Sequence, residues 1–285
     1  MRYLLLFISC FIVFISFGQT VQPFKNKQLI NTQTTVIPDG FDFTIQHRFG
    51  QIALDDSFYE EFLGFDLPAN IRFSLSYKVG NNAYIGVGRT KVGKVVDVEG
   101  KYLLLHQTKD NNIPVSVAFF HQTGINTDEY KVIGENVFYS DSVTPFKNRF
   151  VHRLDYNTQL IVSRAFGEKL SLQLSPTLVY HNLVNGVEKS HHTIFIPFSG
   201  RYQYSFGSAI LFEYAYKLNN ISKNALDNPF SVGFEFGTVG HVFQVFMSNS
   251  QYIRESNIYT TEPLNFYDPP RRFVFGFNFR RVWWF

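Results

Sequence analysis

The side chains of this chain that could do chemistry are charges spaced two apart along apolar runs. Arg72 and Lys78 alternate with Ile71, Phe73, Leu75 and Tyr77, and Glu235 with Phe234 and Phe236. Asp42, Arg48, Arg153, Asp155, Arg201, Glu213, Lys217, Arg272 and Arg280 hold the same kind of position in other runs. Successive side chains of a strand point to opposite faces, so each run has one apolar face and one polar face. If the polar faces line one interior, eight cations there oppose four carboxylates. A lining of that sign favours anions, because rings of Arg and Lys lower the barrier to negative solutes. Pairing among the same charges would instead fill the interior.

Other chemistry finds little support. His181, His191 and His192 flank one predicted loop, and a metal needs clustered imidazoles; the simpler reading places them at strand ends, so no metal is expected. His152 and Ser163 are wrongly spaced on one strand for a nucleophile and its base, and His241 sits beside a glycine turn. No phosphate loop, paired-cysteine site or HExxH is present. No enzyme and no cofactor are expected.

Twelve alternating segments position these charges: 41–50, 70–79, 83–90, 99–107, 113–121, 149–164, 170–181, 192–204, 208–218, 229–237, 241–248 and 272–284. Lys101 to Gln107 and His241 to Ser248 alternate poorly, and Tyr84 interrupts its run. Most are long enough to cross a bilayer as tilted strands. Even-to-odd connections are short and rich in glycine or asparagine, as in Gly80-Asn81-Asn82 and Ser205-Phe206-Gly207. Odd-to-even connections (51–69, 91–98, 122–148, 182–191, 219–228 and 249–271) are longer. Sorting by parity is the mark of an outer-membrane barrel, with short periplasmic turns and longer external loops. The predicted fold is therefore all-β: a closed antiparallel up-and-down transmembrane barrel of about 12 strands over 41–285. Its apolar faces meet lipid, and Tyr77, Tyr180, Tyr202, Tyr204, Tyr214, Tyr216, Trp283 and Trp284 gather near strand ends as interfacial girdles. The Asp55–Gly64 stretch is predicted as a short helix folded over the mouth as a lid.

Composition agrees. The 285 residues include 33 Phe, with 18% aromatic against 17% charged residues; a lipid-facing wall gives those rings a place. A net charge of +3 argues against a nucleic-acid binder. Met1-Arg2-Tyr3, the apolar run Leu4 to Ile15 and Ser16-Phe17-Gly18 have the order of a cleaved signal peptide over 1–18. The sole cysteine, Cys10, lies inside that run, with Phe11 to Ile15 continuing past it, which disfavours a lipoprotein signal. Polar residues 19–40 form a periplasmic N-terminal segment that either enters the barrel or hangs free. Phe285, in phase with Phe273 to Phe279, has the character of an assembly signal. The expected partners are the lipid bilayer of the outer membrane and the barrel-assembly machinery of a Gram-negative envelope, with a monomer as the default.

Several stretches resemble an uncharacterised outer-membrane β-barrel family of unknown function common in Bacteroidetes. They are Phe43 to Gly50, Leu63 to Asp66, Ala69 to Arg72, Gly86 to Arg89, Lys101-Tyr102 to Gln107-Thr108, Pro114 to Val117, Ser171 to Pro176, Gly240 to Gln244 and Phe275 to Asn278. Phe234 to His241 is the most distinctive, with Val239 where a second glycine is usual. The resemblance covers nearly all of the chain after residue 18. It implies fold and location and supplies no activity. The function expected is a narrow or gated pore for small, anionic solutes; the alternative is a non-conducting barrel that scaffolds an envelope complex through its external loops.

Overall fold

The computed structural model describes residues 19–55, 57–130, 137–139, 141–184, 190–218, 228–238 and 240–284. The predicted signal peptide and Phe285 lie outside the described residues. Period-two alternation becomes twelve barrel strands: β1 (Phe41–Arg48), β2 (Asn70–Val79), β3 (Ala83–Thr90), β4 (Val95–Leu105), β5 (Ser116–Asn126), β6 (Leu154–Phe166), β7 (Leu170–Leu174 and Thr177–His181), β8 (His192–Ser205), β9 (Ser208–Lys217), β10 (Phe230–Thr238), β11 (His241–Ser248) and β12 (Arg272–Trp283). β7 is in two pieces because Pro176 has no N–H to give the ladder. Each strand pairs antiparallel with its neighbours, and β12 closes on β1 from Gly276↔Arg48 to Trp283↔Phe41. Closure leaves no open sheet edge.

Burial is inverted relative to a water-soluble sandwich. Phe73, Leu75 and Tyr77 on β2, and Val232, Phe234 and Phe236 on β10, are 41–49% exposed. Between them Arg72, Ser74, Ser76, Ser231 and Glu235 are buried. The apolar face is therefore outside, where only lipid can cover it. Aromatic residues mark both ends: Tyr77, Tyr202, Trp283 and Trp284 near the short turns, Tyr180 and Tyr216 near the long loops. Among the described residues no helix is long and apolar enough to cross a membrane.

The strand boundaries depart from expectation in three strands. β4 begins at Val95 rather than 99, so the connection before it shrinks to 91–94 on the long-loop side. β5 begins at Ser116 rather than 113 and runs on to Asn126, so the connection 106–115 on the short-turn side is long. Within it Gln107–Thr108 leaves the barrel to pair with Thr20–Val21. A register shift between Leu103 and Leu105 accompanies the departure. β6 begins at Leu154 because Phe150–Arg153 is one turn of 3-10 helix.

The Asp55–Gly64 stretch contains the predicted helix, as α1 (Ser57–Glu60) followed by a 3-10 turn over Phe62–Gly64. It does not cover the mouth. Tyr59 and Phe62 are exposed, and Phe65 stacks on Phe49, itself against the outward-facing Phe277. The mouth is closed by the last loop, whose helix α2 (Glu255–Thr260) turns inward.

Candidate functional site

Residues 22–39 enter the lumen from the short-turn end. Thr34 N–H to Lys27 O and Leu29 N–H to Thr32 O, each 2.9 Å, fold the segment into a hairpin with Ile30–Asn31 at its tip. Every residue from Asn31 to Val36 is buried. A hairpin placed in a polar lumen must have its main-chain groups satisfied by the wall, and the inward strand residues do this. Glu213 accepts from the Asn31 and Thr32 N–H groups and the Thr32 hydroxyl at 2.9–3.0 Å. Ile30 O accepts from Asn278 at 2.9 Å and Arg48 at 3.3 Å. Gln173 and Lys101 donate to the carbonyls of Gln33 and Lys27 at 2.7 and 2.9 Å. Thr35 and Ser163 share a hydroxyl contact of 2.6 Å. A small apolar cluster of Phe24, Leu29, Ile30 and Val36 with Leu211 and Phe246 completes the packing.

From the long-loop end α2 carries Arg254 and Glu255 inward. Arg254 binds both carboxylate oxygens of Asp155, with Nη1 at 2.9 Å from Oδ2. The guanidinium fits because β5 has glycine there: a Cβ on Gly124 would lie 2.0 Å from Arg254 Nη2. Ile258 and Tyr259 pack on Val179, Phe195 and Ala215. The two closures meet where Gln33 N–H donates to Glu255 Oε1 at 3.3 Å. Asn157 and Tyr259 also donate to Glu255, at 3.1 and 3.2 Å. Burial nevertheless pushes the Glu255 carboxyl up to about 7. Behind the plug, at the short-turn end, an open cavity of about 590 Å³ is lined by residues that include Lys25, Lys78, His106, Glu235, His241, Arg280 and Trp284.

Of the residues singled out in the sequence, Arg48, Arg72, Asp155, Arg201, Glu213, Glu235 and Arg280 are buried inside the barrel, as is Asp42. Lys78 and Lys217 stand on inward rows at the two ends, Lys78 paired with Asp39 and Lys217 beside the Phe195 ring. Arg272 is exposed at the start of β12. Arg153 is outside the wall altogether, donating to Asn126 O and Asp128 O in the loop. The expectation missed Lys27, Asp97, Glu99, Lys101, Arg254 and Glu255, all buried. Asp97 was hidden by the misplaced strand start, Glu99 and Lys101 by the poor alternation of that segment, and Arg254 and Glu255 by being assigned to an external loop.

The recount alters the electrostatics. The buried cations among the described residues are Lys27, Arg48, Arg72, Lys101, Arg201, Arg254 and Arg280; the buried carboxylates are Asp42, Asp97, Glu99, Asp155, Glu213, Glu235 and Glu255. Seven face seven, so the fully buried charges balance by number. Arg72 bridges Asp97 and Glu99 at 2.6 and 3.0 Å, a fork geometry that only Arg supplies. Arg201 pairs with Glu235 at 2.8 Å, and Arg280 with Asp42. Arg48, with no carboxylate partner in contact, lies 4.2 Å over the Phe246 ring and donates to Asn278 and Asn31.

The histidines do not converge. His181 contacts Thr260 at 3.2 Å and His191 contacts the His181 carbonyl at 2.8 Å. Among the described residues no group of three metal-ligating side chains exists. His152 is in the loop turn and Ser163 is buried against Thr35, so the two do not pair.

Three solved outer-membrane structures overlap most of this chain at low identity. The KdgM porin overlaps 85% of this chain and 99% of its own with TM-score 0.49 and 9% identity. The NanC porin overlaps 86% and 100% with TM-score 0.50 and 8% identity. The COG4313 outer membrane channel from Pseudomonas putida F1 overlaps 92% and 100% with TM-score 0.47 and 10% identity. Likeness at such identities concerns the fold alone. No curated protein matches the chain. The model of one family, described as a membrane bound beta barrel domain (DUF5777), matches residues 24–283, and the chain belongs to that family.

Proposed function

We propose that this barrel is a gated pore of the outer membrane, closed at rest by its own residues 22–39 and admitting small solutes when they withdraw. The observation that carries the reading is how the plug is held. Its contacts with the wall are many hydrogen bonds and ion pairs to lumen side chains, beside two apolar contacts, Phe24, Leu29, Ile30 and Val36 on Leu211 and Phe246, and Ile37 on the Leu103, Ala118, Phe120 and Ile161 cluster. The polar contacts exchange for water at modest net cost, about 0.5–1.5 kcal/mol each, so the polar part of the plug is releasable.

With the plug out, the wall keeps Arg48, Arg72, Lys101, Arg201 and Arg280 against Asp42, Asp97, Glu99, Asp155, Glu213 and Glu235. Arg254 and Glu255 cancel. Lys78, which loses its plug partner Asp39, and Lys217 also stand on inward rows, so the open lumen carries seven cations against six carboxylates, a slight excess in the sense of the anion preference expected from the sequence.

A second reading, a non-conducting barrel that displays loops for an envelope complex, draws on the closure at both ends. Planar-bilayer recording separates the two. The wild-type chain should show rare openings, and Glu213→Ala, which strips the hairpin tip of its acceptor, should raise open probability at least tenfold. Silence in both would favour the scaffold reading.

A further inference from the structure

The one charge that the plug buries is Lys27, and the wall receives it in a shaped site. Its ammonium lies within hydrogen-bond distance of Ser76 Oγ, 3.3 Å from Asp42 Oδ1, 3.7 Å from Glu99 Oε1, and 5.5 Å from the centre of the Tyr84 ring. Three oxygens and a ring face around one nitrogen match the three N–H bonds of a primary ammonium. A planar guanidinium would not direct its donors that way. Asp42 and Ser76 face each other in register across β1 and β2. The next inward hydroxyl on β2, Ser74, is buried and lacks a partner among the described residues.

The carboxylates of the site are shared with the wall. Arg280 holds Asp42, and Arg72 holds Glu99 together with Asp97. Lys101 lies 5.1 Å from the centre of the Tyr84 ring and donates to Lys27 O. The wall's own cations thus match these carboxylates, so the site stays assembled when the plug leaves, and its preference for an ammonium rests on geometry. Cavity space approaches Lys27 from the short-turn side. Asn26 and Arg280 line both the 590 Å³ cavity there and a small internal cavity that touches Lys27.

We infer that Asp42, Ser76, Glu99 and Tyr84 form a primary-ammonium subsite in the lumen, which Lys27 occupies in the closed state. Small organic amines are accordingly the class of solute that competes with the plug. That such solutes reach the site rests on the gated-pore reading; the site itself does not.

The test is chemical rescue in the full chain. Lys27→Ala should unfold at a lower temperature than wild type, and n-butylammonium, the missing side chain as a free molecule, should raise the midpoint saturably. Neutral n-butanol and tetramethylammonium, which lacks N–H donors, should not. Adding Asp42→Asn should weaken the apparent affinity for n-butylammonium roughly tenfold or more. If Lys27→Ala fails to assemble, Lys27→Met keeps most of the stem and is titrated with ammonium in place of n-butylammonium, since only the ammonium position is then vacant. An equal shift in wild type, in the presence of n-butanol, or in the double variant would overturn the inference, as would no shift at all. Because the readout is thermal, saturable rescue combined with a silent bilayer would retain the subsite and refute the pore.

Discussion

The two closures of the lumen are built differently. The plug at the short-turn end contributes main-chain groups, the neutral side chains of Asn26, Asn31, Thr32, Gln33 and Thr35 and one ammonium, and the wall supplies the charged partners: Glu213, Arg48, Lys101 and Asp42. The loop at the other end contributes its own charges, Arg254 and Glu255, and seats Ile258 and Tyr259 in an apolar socket on the wall. Removing the plug leaves wall charges that water or a solute can satisfy and uncovers Leu211, Phe246 and the cluster under Ile37. Removing the loop also exposes apolar surface and breaks a two-point Arg–carboxylate contact. The plug is thus the more readily released of the two, and the loop the more permanent.

The largest expected effect breaks the permanent side. Arg254→Ala leaves Asp155 without its cation and Asp97 without a neighbouring one at 3.9 Å. Stripping a buried carboxylate of its partner costs about 3–5 kcal/mol. Limited proteolysis should then cut the 249–271 loop, and the wild-type loop should resist the same treatment. A smaller effect belongs to the plug. Glu213→Ala orphans two buried N–H groups and a hydroxyl, at about 1–3 kcal/mol per group before water enters. Amide exchange at Asn31 and Thr32 should accelerate at least tenfold while the 249–271 loop stays protected. Acceleration at both ends would mean that the closures are one unit, contrary to the contrast drawn above.

The smallest effect is a pH dependence. Docked Glu255 titrates near 7 because burial penalises its charge, against an ordinary 4.5 when the loop is free. A raised value means that the docked state favours the protonated form. Loop docking is therefore strongest below about 4.5 and weakens as pH rises through 7. Proteolysis of the loop should speed up across that window, and Glu255→Gln should flatten the profile. Acceleration on acidification instead would contradict the assignment.

Much of the barrel was legible because lipid enforces period two: Ile71 to Tyr77 and Phe230 to Phe236 can face only one way. What was hidden lies where another force decides. Tyr84 looked like a broken alternation because an aromatic ring there points inward; it holds two ammonium groups and donates to Gln33 at 3.1 Å. β4 was displaced because Val95, Asp97 and Glu99 are inward while Gly100 weakens the outward row, and because Gln107–Thr108 is taken by Thr20–Val21. The interior charge balance depended on Arg254 and Lys27, which long-range pairing recruits from segments with no strand pattern. No local periodicity reports that recruitment. The family resemblance shared this blind spot, since it spoke to fold and location and carried no account of the interior.

The central claim, that residues 22–39 are a releasable gate, is tested most directly by locking them. The hydroxyls of Thr35 and Ser163 are 2.6 Å apart, so Thr35→Cys with Ser163→Cys places two thiols where a disulfide can join plug to wall. Single-channel current through this variant is the measurement. The account predicts a silent barrel when oxidised, openings after reduction, and silence again on reoxidation. Current that is the same in both redox states, whether flowing or absent, would contradict it.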